Sequence, residues 1–365
     1  MKIINVAGAR PNFMKIAPLM EAFEARPELE AILVHTGQHY DERMSDLFFR
    51  QLGICEPDIN LGVGSASHAV QTAEIMKAFE PVVLAQKPDA VLVVGDVNST
   101  IACGLVAAKL GVKLVHVEAG LRSFDRAMPE EINRVLTDAI SGLLFCTEQS
   151  GADNLRREGV PKERVFLVGN VMIDTLLKNK AKADASGILD ELHLAPRGYA
   201  ALTLHRPSNV DDPIVFGRIL DALDIIQKDL SIIFPIHPRT RKNIAASGLD
   251  GRVKDMANLR LIEPVGYLDF LKLISEAKVV LTDSGGIQEE TTILKVPCLT
   301  LRENTERPIT VELGSNRVVG TDPKKIIAGY KAAVDGSRGE PQTPPMWDGR
   351  AAERIAQVLV EKLAG

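Results

Sequence analysis

Almost from end to end, the chain alternates short runs rich in Val, Ile and Leu with longer segments that have helical spacing. In the first half the apolar runs fall at 3–7, 31–36, 90–94, 113–117, 143–146 and 165–168, and helical segments such as 11–25, 99–110 and 130–139 lie between them. The runs are nearly continuous rather than alternating, which suits parallel strands buried on both faces. Repeated strand–helix–strand units of this kind build a doubly wound α/β domain, and such a domain binds ligands outside the carboxyl ends of its strands.

The pattern thins after residue 169 into a Lys-, Ala- and Asp-rich helical stretch, then restarts with strands at 199–204, 231–235, 259–262, 279–282 and 298–301. A length of 365 residues is about twice a comfortable single domain. Two α/β domains are therefore expected, 1–169 and 170–346, facing one another across a cleft. Residues 336–345 read as a Gly-, Pro- and Ser-rich linker. After it, Asp348 is placed to cap a last helix over 349–363.

Composition narrows the function. Hydrophobic residues make 45% and charged residues 25% of the chain, and the net charge is −5. That balance argues against a nucleic-acid binder, which needs a basic face, and 4% aromatics with one Trp make a poor stacking platform. No apolar run approaches the ~18–20 residues that cross a bilayer, and no signal peptide is read. Cys55, Cys103, Cys146 and Cys298 are scattered without a Cys-x-x-Cys pair. They read as reduced packing residues of a cytoplasmic protein, with no metal site.

Several loops carry the types of residue that chemistry needs. Gly8-Ala9-Arg10-Pro11-Asn12-Phe13-Met14-Lys15 sets two cations and free backbone amides beside a helix start, an anion site without the Gly-x-Gly-x-x-Gly fingerprint of a nicotinamide cofactor. In Thr282-Asp283-Ser284-Gly285-Gly286-Ile287-Gln288-Glu289-Glu290 a strand turns into a helix, with Ser284 as cap and Gly285 and Gly286 open to a phosphate. Tight β–α turns also use such glycines for steric reasons. Asp96, Glu118 and Glu130 stand at strand ends or a helix start of the first domain and are candidate acids or bases. Asp96 also reads as a helix cap and Glu130 as a first-turn charge, but Glu118 sits in an apolar run with no such reason. His205-Arg206 and His237-Pro238-Arg239 end adjacent strands, and cations at 10, 15, 206, 239 and 307 suit one diphosphate.

Taken together, these stretches resemble the non-hydrolysing UDP-N-acetylglucosamine 2-epimerases over essentially the whole chain. The resemblance rests on Gly8-Ala9-Arg10-Pro11 with Lys15, Thr36-Gly37-Gln38-His39, Gly95-Asp96 and His116-Val117-Glu118-Ala119-Gly120-Leu121-Arg122. It continues through Pro129-Glu130-Glu131-Ile132-Asn133-Arg134, the Thr282–Glu290 stretch and Thr305-Glu306-Arg307-Pro308. It implies a GT-B-like pair of Rossmann-like domains, with the C-terminal helix (347–365) packing back on the first. It also implies a homodimer, a UDP-sugar substrate, and no metal or redox cofactor. By motif, Asp96, Glu118 and Glu130 match the family's catalytic acids. His205 matches both the reacting end and a diphosphate contact. Arg10, Lys15, His237, Ser284, Gly285, Gly286 and Arg307 fall to nucleotide and diphosphate binding, Glu290 to the ribose, and Phe270 to the uracil ring.

The implied reaction interconverts UDP-GlcNAc and UDP-ManNAc, by eliminating UDP to a glycal and adding it back. Departures from the family pattern bear on regulation and specificity. Asp41 stands where allosterically activated relatives carry Gln, and Glu74 where they carry an Arg for a second UDP-sugar. Arg307-Pro308 is followed by Ile309-Thr310 rather than Glu-Ala, and Arg206 by Pro207 rather than a second Arg. The alternatives are the same chemistry on UDP-GalNAc or a diacetamido uronic acid derivative, a hydrolysing epimerase, a GT-B glycosyltransferase, or a non-catalytic sugar-nucleotide binder.

Overall fold

The computed structural model describes residues 1–37, 53, 56–336 and 340–363, and for Arg10 the backbone alone. Gln38, His39, Tyr40, Asp41 and Cys55 lie outside these residues. The chain divides into two compact units, Met1–Lys178 with Pro345–Gly365, and Asn179–Pro344.

In the first unit, strands β1 (Lys2–Ala7), β2 (Glu30–His35), β3 (Ile59–Asn60), β4 (Ala90–Val94), β5 (Lys113–Val117), β6 (Leu143–Cys146) and β7 (Val165–Leu167) form one sheet. Its order is β3-β2-β1-β4-β5-β6-β7. Every pairing is parallel, with Val6 opposite Val34 on one side and Val93 on the other. The continuous Val and Leu run of β4 follows from its central place, since all five of its residues are buried. In the second unit, β8 (Tyr199–Thr203), β9 (Ser231–Pro235), β10 (Leu259–Ile262), β11 (Val279–Thr282), β12 (Cys298–Thr300) and β13 (Asn316–Val318) repeat the plan in the order β10-β9-β8-β11-β12-β13.

Both sheets reverse direction of growth beside their first strand, between β1 and β4 and between β8 and β11. At such a switch point neighbouring connections leave to opposite faces and open a crevice at the carboxyl edge. The strands expected from apolar runs are present, and two short edge strands, β3 and β13, add to them.

The last helix, Ala351–Leu363, belongs to the first unit. Its buried face carries Ile355, Ala356 and Leu359 and packs on the Arg10–Glu24 helix. The expected cap, Asp348, does not cap it. Asp174, on the Val171–Asp184 helix, instead accepts the amides of Ala351 (3.2 Å) and Ala352 (2.7 Å). Asp348 pairs with the guanidinium of Arg354. Thr175 likewise donates to the carbonyl of Met14, at 2.5 Å. These ties keep 170–178 with the first unit, so the division falls within that helix rather than ahead of it. Burial pushes the Asp174 carboxyl up to about 6 despite the two amides it accepts. Cys103, Cys146 and Cys298 are buried free thiols. Among the described residues, no helix is long and apolar enough to cross a membrane.

Candidate functional site

At the switch point of the first sheet, the Gly8 turn feeds the Arg10–Glu24 helix. The amides of Gly8 and Ala9, expected to await an anion, are taken by Asn12 Oδ1 at 3.1 and 2.9 Å. Asn12 Nδ2 in turn donates to the Val94 carbonyl at the end of β4 (3.2 Å). The turn is thus braced to the neighbouring strand. One turn further along the helix, Lys15 is buried and its ammonium pairs with Glu118. Gly95 has φ +65°, a conformation that favours glycine, and its Cα faces Lys15 Nζ.

Glu118 follows the last residue of β5 and is buried, with φ +76°. A left-handed backbone costs a residue with a Cβ roughly 1 kcal/mol or more, and persists only where its surroundings enforce it. Here the amides of Glu118 and Ala119 both donate to the Phe145 carbonyl at 3.0 Å, which fixes the strand end. Asp96 is no helix cap, because Val97 holds that position for the Asn98–Lys109 helix. Its carboxylate pairs with Arg134 of the Pro129–Ile140 helix, and Asn133 donates to its carbonyl at 3.0 Å. Arg134 is held from behind by Glu131 (2.7 Å), which also accepts Ser123 and Phe124 amides. Glu130 opens the same helix, one turn before Arg134, and is half-buried. Glu118, Lys15 and Asp96 therefore gather at one sheet edge, with Glu130 on the helix that grips Asp96. The side chain of Arg10 lies outside the described residues.

In the second unit, charged side chains cluster around the start of the Gly285–Leu294 helix. Ser284 holds the N-cap position of the Gly285–Leu294 helix, but its hydroxyl makes no capping hydrogen bond. Its amide is anchored instead on Thr282 Oγ1 (3.0 Å). Gly285 was expected to admit a ligand. Its missing side chain makes room for protein, since a Cβ would stand 2.7 Å from Glu306 Oε1 and 2.8 Å from Arg307 Nη1. Gly286, next in the first turn, is half-buried.

Arg307 is buried and bidentate to two carboxylates, Glu289 at 2.6 Å and Glu306 at 2.8 Å. Glu306 also pairs with Arg302 (2.9 Å) and faces Arg206 at 3.9 Å. Arg206, Arg302 and Arg307 thus meet Glu289 and Glu306 beside a helix N-terminus, whose dipole favours an anion. Gln288 locks the arrangement by accepting from Thr305 (2.6 Å) and Asn316 (3.0 Å).

His205, at the end of β8, is half-exposed, and its Nδ1 lies 3.0 Å from Asp283. Asp283 is fully buried and also takes the amides of His205 and Arg206. Burial raises its carboxyl, but the His205 hydrogen bond and charge and these amides outweigh that and hold it low. A carboxylate behind an imidazole fixes the ring's orientation. Glu290 is buried against Tyr267, whose hydrogen bond opposes the rise. Burial first, and Glu289 beside it, push its carboxyl up to about 8. Phe270 is half-buried on the same short helix as Tyr267, Tyr267–Ser275. His237 is exposed and caps the Pro238–Ala246 helix by accepting from Arg239 N (3.2 Å). Arg239 is drawn away to Asp211 at 2.5 Å.

The family model described as UDP-N-acetylglucosamine 2-epimerase matches residues 21–360. The chain belongs to the UDP-N-acetylglucosamine 2-epimerase family. A relative of that name from Methanocaldococcus jannaschii is 43% identical, over 98% of this chain and 99% of its own. A UDP-2,3-diacetamido-2,3-dideoxy-D-glucuronate 2-epimerase from Pseudomonas aeruginosa is 40% identical, over 99% of this chain and all of its own. The crystal structure of the M. jannaschii UDP-GlcNAc 2-epimerase with UDP-GlcNAc and UDP superposes with a TM-score of 0.93 at 42% identity, covering 99% of this chain and 100% of that one. The fold is accordingly α/β and GT-B-like, as in other members of this epimerase family. The sequence assigns no site role to Arg134, Arg302 or Glu306, which the structure places against Asp96, Glu306 and Arg307 in turn. Arg134 and Glu306 do stand in stretches that carry the family resemblance, whereas Arg302 stands in none.

Proposed function

We propose that the chain inverts C2 of a UDP-sugar, interconverting UDP-GlcNAc and UDP-ManNAc. Inversion takes a proton from an unactivated carbon on one face and returns one to the other face. Eliminating UDP to a glycal avoids a bare carbanion, and re-adding UDP after protonation completes the exchange. Breaking C1–O builds positive charge on the sugar ring, which carboxylates stabilise as in glycoside hydrolysis. Glu118, Asp96 and Glu130 are assigned to proton transfer and to this charge. Lys15 and Arg134 then hold and aim Glu118 and Asp96. Arg307, Ser284 and Gly286 are assigned to the leaving diphosphate, His205 to its protonation, Glu290 to the ribose and Phe270 to the uracil.

One observation carries the reading: Glu118 is a buried carboxylate, in a strained backbone conformation, at a strand end that faces ligand in this fold class. The protein is proposed to act in the cytoplasm as a homodimer. In support of a second copy, the exposed Val70 and Leu84 of the His68–Gln86 helix and Ile132 and Leu136 of the Pro129–Ile140 helix flank the mostly buried Asn98–Lys109 helix. The relative named for a diacetamido glucuronate supports a second reading, in which the same chemistry runs on that sugar.

Incubation with each UDP-sugar in D₂O, followed by proton NMR, tests both. Epimer carrying deuterium at C2 is expected from the true substrate. Retention of the original hydrogen there refutes the two-face proton transfer.

A further inference from the structure

Behind the strand ends that carry Asp96 and Glu118 runs a buried polar chain that none of the assigned roles uses. His116, in β5, is fully buried. Its Nε2 lies 2.8 Å from the Gly95 carbonyl, which only accepts, so this nitrogen donates. Its Nδ1 lies 2.7 Å from Asp138 Oδ1. The other Asp138 oxygen accepts the Gly120 amide (3.0 Å) and pairs with Arg122 (2.7 Å). Arg122 ends the chain in a fork on Glu158, at 2.8 and 2.6 Å. Burial pushes the Asp138 carboxyl up, but His116 and Arg122 outweigh it and hold it below the usual range. Asp138 is therefore an acceptor at both oxygens, and His116 donates from both nitrogens.

The two groups gripped are not arbitrary. Gly95 is the residue before Asp96, and Gly120 is two residues after Glu118. Gly120 has φ +81°, and a Cβ there would stand 2.3 Å from the Gly151 carbonyl, so this turn has no room to drift on that side.

We propose that His116 is a positioning residue for the reaction, a doubly donating cross-tie that fixes the Gly95–Asp96 turn to the Glu118–Gly120 turn through Asp138. This rests on the assignment of Asp96 and Glu118 as reacting groups. Two strand ends that move independently no longer present their carboxylates to one sugar carbon at a set separation. A displacement of about 1 Å lowers a rate by about 10²-fold.

The two ties separate by substitution. His116→Gln keeps a donor near Nε2, His116→Asn keeps one near Nδ1, and His116→Phe removes both. Turnover is expected to fall by about 10²-fold in His116→Phe and by less in the other two. KM for the UDP-sugar should stay within about threefold, because the diphosphate groups assigned to binding belong to the other unit. In the full-length wild-type protein, ¹⁵N NMR should show both His116 nitrogens protonated, with the resonance assigned by its loss in His116→Gln.

Turnover of His116→Phe within about threefold of wild type overturns the proposal, as does a His116 ring with one unprotonated nitrogen. Should His116→Phe fail to fold, an undiminished turnover in His116→Gln and His116→Asn together overturns it instead. Failure of the underlying assignment shows elsewhere, as full turnover in Glu118→Gln, and the NMR result then still decides whether the cross-tie exists.

Discussion

Replacing Glu290 by Gln should make the protein more resistant to alkaline conditions. The Glu290 side chain is buried on the Gly285–Leu294 helix, and its carboxyl, by burial first and then by the charge of Glu289, ionises only near 8 rather than at the ordinary 4.5. The sign follows from proton binding. Between those two values the folded chain holds a proton that the unfolded chain has released, so stability falls as pH rises across the window and levels off above it. Each pH unit is worth about 1.4 kcal/mol, so the whole window amounts to up to about 5 kcal/mol. From pH 6 to pH 9 the chain crosses the upper two units of it, about 3 kcal/mol. That interval avoids Asp174, which is raised only to about 6.

Gln keeps the shape and the partner to Tyr267 but cannot ionise. Urea denaturation followed by circular dichroism at pH 6 and pH 9 provides the test. Wild type should lose about 2–3 kcal/mol more than Glu290→Gln between the two pH values. Identical losses in the two proteins would refute the argument that this carboxyl pays for its burial only once ionised.

Two further outcomes follow from the site. Glu118→Gln, Asp96→Asn and Glu130→Gln should each lower turnover by at least ~10², with UDP affinity by calorimetry changed far less; near-normal turnover in all three sinks the assignment of acids. Glu74 is half-exposed and paired with Lys77 at 2.9 Å on the His68–Gln86 helix, and an acidic group where activated relatives carry Arg repels a second diphosphate. Rate curves should then be hyperbolic, and UDP-ManNAc should be converted without added UDP-GlcNAc. A sigmoidal curve, or a reverse reaction silent until UDP-GlcNAc is supplied, counts against it.

What was legible in the amino-acid order was what depends on neighbours along the chain. Central strands such as β4 and β8 carry continuous apolar runs because both faces are covered, and those runs can be read directly. The edge strands β3 and β13 are two and three residues long and partly exposed, too short and too polar to leave a pattern. Glu118 stood out because a carboxylate in an apolar run has no local reason to be there.

Partnerships across long separations left no local trace. Asp348 is the obvious cap by position, yet Asp174, 177 residues before Ala351, takes the role. Arg134 reaches Asp96 across 38 residues. Gly8 looked like an open anion turn because nothing in its own stretch shows that the Asn12 side chain turns back onto it. Gly285 looked open to a ligand because Glu306 and Arg307, which fill its missing Cβ, come from another loop.

The ties of Asp174 to Ala351 and Ala352 also order events during synthesis. Trp347 adds to them, its indole donating to the Thr147 carbonyl at 2.9 Å. The first unit thus draws one of its helices and its buried tryptophan from a stretch made after the whole of the second unit, whereas the second unit, Asn179–Pro344, is one uninterrupted segment. Until that stretch emerges, the inner face of the Arg10–Glu24 helix and the carboxylate of Asp174 wait uncovered, while the second unit has all its strands in hand. The half that begins first is therefore completed only after the other half has been made in full.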